Sequence, residues 1–400
     1  MDIFTSTKGQ KGLPRWFAPT FQVIRSFRYG ALEFALPDGR VFRAEGREPG
    51  PEGRADVRDV RLFARIMREG KLGFAESYMD GWFDSPDLQT MLDAIYSNNR
   101  EITPSLKVAA LARNFERFRH WLNRNTKEQA RKNISHHYDL GNDFYSLWLD
   151  ESMTYSSALF RGDESLADAQ RAKYEAICNG IGVQQGDSLL EIGCGWGGFA
   201  EYAATVRGAK VRGLTISAEQ HDYAQKRIFE AGLNERVEIV MQDYRDETGR
   251  YDGIASIEMF EAVGERYWSV YFDTVRERLK EAGRATLQII TMEDDLWATY
   301  RKNVDFIQKY IFPGGMLPSP TALRAAVGTA GLTVAGSIEF GQSYSKTLRL
   351  WNEAFQAQWE KARALGFDDR FMRMWEFYLS SCAAGFRGES IDVTQITVQR

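Results

Sequence analysis

Ser188-Leu189-Leu190-Glu191-Ile192-Gly193-Cys194-Gly195-Trp196-Gly197-Gly198 is the stretch on which the fold turns. An apolar run, Ser188–Ile192, ends at Gly193, and Phe199–Val206 behind it has helical spacing. Glycines at such a junction let the backbone approach a ligand and turn tightly into a helix. Working outward, strand patterns at Lys210–Thr215, Val237–Met241, Tyr251–Ile257 and Arg284–Thr291 alternate with helical patterns at Glu219–Glu230 and Tyr267–Lys280. This alternation predicts a parallel sheet with helices on both faces. After an irregular insert, Met292–Pro318, come a strand near Leu332–Phe340, two long helices and an alternating strand, Ile391–Val398. The expected fold class is therefore α/β, a Rossmann-like doubly wound sheet closed by late antiparallel strands.

Upstream the pattern differs. Ala31–Leu36 and Val41–Ala44 flank Pro37-Asp38-Gly39-Arg40 and read as a hairpin. Asp59–Glu69 sets Val60, Phe63 and Met67 at helical spacing, and Pro86–Tyr96 reads as a helix with Ser85 as its cap and Pro86 in its first turn. The expected organisation is a small α+β domain over 1–110, a basic helical connector over 111–135 and a main domain over 136–400. The net charge of -4 over 400 residues provides no global basic field, which speaks against nucleic acid as a partner. Three scattered cysteines fit a reducing compartment, and there is neither an apolar stretch of spanning length nor a signal-peptide core. A cytoplasmic protein that visits membranes only from the surface is expected.

The glycine turn has GxGxG spacing with an acid, Glu191, in the strand before it. A carboxylate there suits the cationic end of S-adenosylmethionine (SAM) and would repel a pyrophosphate, so SAM is preferred to a dinucleotide on site chemistry. Thr215 and Gln220 after the second strand could meet ribose hydroxyls. Ser217 capping the next helix, with Gln220 closing a capping box, is the plain alternative, and the two are compatible. Asp243 and Tyr244 after the third strand are placed to meet an adenine amine and ring. The layout is that of a class I SAM-methyltransferase.

Several longer motifs carry a resemblance. His137-Tyr138-Asp139-Leu140-Gly141-Asn142-Asp143-Phe144-Tyr145, Met153-Thr154-Tyr155-Ser156, Gly213-Leu214-Thr215-Ile216-Ser217, Ser256 through Gly264, Tyr310 through Gly315, and Tyr344 through Trp351 resemble the cyclopropane-fatty-acid synthases. The likeness runs in order from about residue 130 to 400. The resemblance implies transfer of the SAM methyl to a cis double bond of a membrane phospholipid acyl chain, followed by proton loss. It implies SAM contacts from Tyr155, Ser156, Glu191, Gly193, Gly195, Thr215, Gln220, Asp243 and Tyr244. It also implies a bicarbonate ion as proton acceptor, held by Glu261, Tyr344 and the backbone of Ile290. Two positions depart from the family: its cysteine is Ser157 and its histidine is Gln288. Both remain neutral donors, so bicarbonate is left open. The product is open too: a cyclopropane, or a methylene- or methyl-branched chain.

A carbocation needs a dry, aromatic-lined site, for which Tyr138, Phe144, Phe260, Phe312 and Tyr344 are candidates, with ordinary core packing as the alternative. His136 and His137 lack metal-ligand company; no metal is expected, and His137 is read as ordering a lid. The connector, with Arg113, Arg117, Arg119, Arg124 and Lys127 among Phe115, Phe118 and Trp121, is either an interfacial helix for anionic lipid or a solvated linker. Peripheral membrane association is expected and a homodimer is left open. An amine N-methyltransferase and a non-catalytic lipid- or SAM-binding module are the competing readings.

Overall fold

The computed structural model describes residues 2–105 and 140–400, without the side chains of 103–105. The connector over 111–135, His136, His137 and Tyr138 lie outside the described residues. The chain divides into two compact units. The described part of one is 2–105 with Lys302–Ile311 and Gln356–Ser390; that of the other is 140–301 with Phe312–Phe355 and Ile391–Arg400.

The first unit carries a sheet of β1 (Ile3–Phe4), β2 (Tyr29–Ala35), β3 (Val41–Glu45), β4 (Glu48–Val57) and β5 (Phe83–Asp84), in the order β1-β3-β2-β4-β5. β2 and β3 form the expected hairpin, with Ala35 opposite Val41. Phe17 meets Phe42 and Phe63 edge-on, at centroid distances of 4.8 and 4.9 Å, the arrangement that aromatic quadrupoles favour. The helix Arg61–Glu69 buries Leu62, Phe63 and Ile66, whereas Val60, expected on the same stripe, is 41% exposed. The next predicted start needs correction. Its helix spans Leu88–Ser97 and is capped by Asp87, which accepts from the Thr90 N–H at 2.9 Å and from the Thr90 hydroxyl at 2.6 Å. A carboxylate satisfies both donors and suits the positive helix end, so it displaces the serine. Ser85 Oγ is buried without a partner.

The second unit holds β6 (Ser188–Ile192), β7 (Lys210–Thr215), β8 (Val237–Met241), β9 (Tyr251–Ile257), β10 (Leu279–Met292), β11 (Thr333–Glu339) and β12 (Ile391–Gln399). The order is β11-β12-β10-β9-β6-β7-β8, parallel from β10 to β8 and antiparallel where β12 pairs with β10 and β11. β6 to β9 have the predicted bounds. β10 begins earlier than Arg284, with a register irregularity between Leu279 and Arg284. The stretch expected to be irregular contains helices Asp294–Tyr300 and Phe306–Tyr310. Successive residues of β6 go to opposite layers: Leu189 packs with Val211 and Ile239, Leu190 with Ile254 and Leu287. A strand buried on both faces reads as a continuous apolar run, which is why its bounds were legible. β11 is an exposed edge broken by a bulge next to Gly336, a device that discourages further strand pairing. No helix among the described residues is long and apolar enough to cross a membrane.

Candidate active site

The carboxyl ends of β6, β7 and β9 bring the predicted residues to one side of the sheet, where ligands bind in open α/β folds. After β6, Gly193, Gly195 and Gly197 have φ of 84°, 52° and 84°, a path open to glycine at no steric cost. A Cβ on Gly193 would come 2.8 Å from Met259 Cγ. Glu191 is buried beneath this turn, and its Oε2 has no partner. Burial pushes its carboxyl up to about 8, against the pull of the Lys173 ammonium.

Beyond β7, the Ser217 hydroxyl accepts from the Gln220 N–H at 3.4 Å, so the expected cap is present. The Gln220 side chain does not close the box; its Oε1 accepts from the Thr215 hydroxyl at 3.1 Å, setting two buried polar groups side by side. Asp243 is buried and gripped by Arg245, whose Nε and Nη2 donate to it at 2.8 and 2.6 Å. That partner was not foreseen, and an adenine amine would share the carboxylate with it. Tyr244 stands edge-on to Tyr271 at 5.5 Å.

Tyr155 lies among aromatic rings, with Tyr145, Trp148 and Trp351 each at 5.4 Å and Phe312 at 6.4 Å. Tyr344 meets Trp351 at 6.1 Å. Phe144 is buried against Tyr145 and Trp148. Phe260 instead packs on Trp268, Tyr271 and Phe272 and is an ordinary core residue. Ser156 is held from behind, its carbonyl by Gln170 at 3.0 Å and its hydroxyl by Lys173 at 2.7 Å.

The sharpest departure from expectation is Glu258. It directly follows β9 with a φ of 51°, a left-handed conformation that strains a non-glycine residue. Its Oε1 accepts from the Ser157 N–H at 2.8 Å and the Gln288 amide at 2.7 Å; its Oε2 accepts from the Tyr344 hydroxyl at 2.6 Å. Ser157, Gln288 and Tyr344 are the side chains or positions that the resemblance assigned to bicarbonate, and here a carboxylate of the chain itself takes their hydrogen bonds. Two expectations change accordingly. The Ser157 hydroxyl donates to the Ala158 carbonyl, so its backbone N–H serves the carboxylate. Gln288 is fixed by Gln395, which donates to its Oε1 at 3.0 Å. Ile290 donates its N–H to Glu261 Oε1 at 2.5 Å, while Glu261 Oε2 is buried without a partner. Burial raises the Glu258 carboxyl; Tyr344, Gln288, Ser157 and Lys173 oppose the rise. Burial and the Glu258 charge push Glu261 up to about 8. Reading the sequence missed Glu258, although an acid three residues before Glu261 at a strand end was a usable signal.

The open oxygen of Glu191, the glycine turn and the Thr215–Gln220 pair fit SAM, which supplies an electrophilic methyl group. The profile of the mycolic acid cyclopropane synthetase family matches residues 125–396. Tuberculostearic acid methyltransferase UfaA1 of Mycobacterium tuberculosis is 40% identical over 376 residues, covering 87% of this chain and 85% of that protein. Cyclopropane-fatty-acyl-phospholipid synthase of Escherichia coli is 38% identical over 352 residues, covering 86% and 87%. The crystal structure of mycolic acid cyclopropane synthase CmaA1 with SAH and CTAB superposes with a TM-score of 0.64 at 32% identity, over 68% of this chain and 98% of that one. On sequence, fold and site chemistry together, this chain is a SAM-dependent methyltransferase belonging to the mycolic acid cyclopropane synthetase family.

Proposed function

We propose that the chain methylates a cis double bond in an unsaturated phospholipid acyl chain and that Glu258 removes the final proton, leaving a methylene branch. The observation that carries this reading is the Glu258 carboxylate held by Ser157, Gln288 and Tyr344. Relatives named for tuberculostearic acid and for cyclopropane formation match almost equally, so identity does not choose the product.

The aromatic surround of Tyr155 excludes water and tolerates a carbocation. Methylation at one alkene carbon leaves the positive charge on its neighbour. Hydride migration from the methylated carbon then gives a tertiary cation, and loss of a proton from the new methyl forms a C=CH2 double bond branching from the chain. Glu258 accepts that proton, so atoms and charge balance without an oxidant or reductant. A tethered carboxylate that already receives three hydrogen bonds is a restrained base, which gives the hydride time to move. Ring closure, the second reading, needs faster proton loss. It draws support from Glu261, whose raised carboxyl holds a proton near neutrality and could donate to a bicarbonate ion.

Purified chain, SAM and oleoyl-phospholipid vesicles in bicarbonate-depleted buffer test the proposal. The expected product gains one methylene mass unit and shows vinylidene protons by NMR. Cyclopropane protons, or turnover that begins only when bicarbonate is added, would count for the second reading. No acyl mass gain in either buffer would overturn both.

A further inference from the structure

The helix Leu166–Ile181 packs against β9, β10 and β12, and Lys173 on its inner face has no exposed surface. A fully buried lysine is rare, because an ammonium taken out of water must find compensation. Among the described residues Lys173 forms no ion-pair contact. Its Nζ donates one hydrogen bond, to Ser156 Oγ at 2.7 Å, and lies 4.6 Å from the Tyr174 ring centroid. Gln170, one turn earlier, donates to the Ser156 carbonyl at 3.0 Å. The next N–H along the chain, that of Ser157, is the one that donates to Glu258.

The groups that feel this ammonium come from every side. Glu258 at the end of β9 is the strongest, then Asp150 on the segment before the Tyr155 turn, then Glu191 on β6. Arg227, from the helix Ala218–Glu230, is committed to the Ser152 carbonyl and Glu201. Tyr174 on the same helix as Lys173 shares a hydrogen bond with Thr154. Burial pushes Lys173 down to about 7 while the three carboxylates pull it back up.

We propose that Lys173 is a positioning residue for Glu258: it pins the Ser156–Ser157 turn and supplies the buried positive charge that keeps Glu258 an anion. This rests on the assignment of Glu258 as proton acceptor. Glu191 competes for the same charge.

The test is the pH dependence of single-turnover methylation at saturating SAM for Lys173→Met, Lys173→Arg, Glu191→Gln and Glu258→Gln. Lys173→Met should bind SAM within a few-fold of wild type and move the acid limb up by about 1 unit or more. Lys173→Arg should restore the limb, and Glu191→Gln should move it down. A Lys173→Met limb at the wild-type pH, with the rate lowered equally at every pH, would reduce the lysine to packing and overturn the proposal. If that variant does not fold, an unmoved limb in Glu191→Gln overturns it instead. Full turnover by Glu258→Gln would remove the underlying base assignment, whatever Lys173 does.

Discussion

Glu258→Gly should turn an enzyme with its own base into one that must borrow it from solution. The left-handed φ of 51° burdens a glutamate by about 1–2 kcal/mol, and a glycine adopts it freely, so the strand end should keep its path. Loss of the carboxylate leaves the Ser157 N–H, the Gln288 amide and the Tyr344 hydroxyl aimed at a vacated space. Each unpaired donor costs about 1–3 kcal/mol when dry, but water can enter a polar space, and a net destabilisation of about 1–3 kcal/mol is expected. The rate should suffer more. Removing a general base lowers turnover by about 100- to 10,000-fold, or about 2.7–5.4 kcal/mol of barrier. The assay is transfer of labelled methyl from SAM into oleoyl vesicles, with formate, bicarbonate or acetate added. Formate and bicarbonate match the lost group and should restore at least about a tenfold rate, with acetate less effective because of its methyl. Wild-type turnover by the glycine variant in anion-free buffer would refute Glu258 as the base. A folded, inactive variant indifferent to all three anions would refute the three donors as an anion seat.

Three further outcomes are expected. Glu191 and Glu261 are raised to about 8, so between the ordinary carboxylate range and that value the folded chain holds more protons than the unfolded one. Ligand-free stability should therefore fall as pH rises through that window, most cleanly below neutrality, since Lys173, lowered to about 7, acts in the opposite sense only above it. SAM should raise the melting temperature more at about pH 8 than at about pH 6, and Glu191→Gln should flatten that difference; an equal shift at both would remove Glu191 from the donor site. In the first unit, Asp87→Ala should cost about 1 kcal/mol by urea titration while Ser85→Ala costs nothing measurable. The reverse ranking would restore the cap to Ser85.

Much of the catalytic unit was legible because its central strands are buried on both faces and end in punctuating residues. Ser188–Ile192 is a largely apolar run whose limit follows from the turn after it, and Val237–Met241 shows the alternation of a half-exposed edge strand, with Val237 and Ile239 buried and Glu238 exposed. The glycine turn was legible because its spacing marks a strand-to-helix junction, and Glu191 because an acid within a buried strand stands out. Other features depended on tertiary neighbours. Lys173 on an amphipathic helix reads as solvated, and only the packing of Ser156 reveals it as buried. Asp87 and Ser85 are both good caps, and the backbone path chose between them. Glu258 was read as part of a motif because nothing in a linear string signals a positive φ or three donors converging from residues 157, 288 and 344. The N-terminal hairpin was readable from its turn, while the sheet around it, with β1 parallel to β3, was not.

β12 lies between β10 and β11 although it is the last of the seven strands to leave the ribosome. During synthesis β10 must wait from residue 292 to residue 391 with one hydrogen-bonding edge unsatisfied, a state that invites misassociation. Gln395, which orients Gln288, arrives on that same strand. The nascent chain can thus assemble its glycine turn early, but the grip on Glu258 is completed only once residues 391–399 have emerged, so a ribosome stalled before residue 391 would hold a sheet without its finished site.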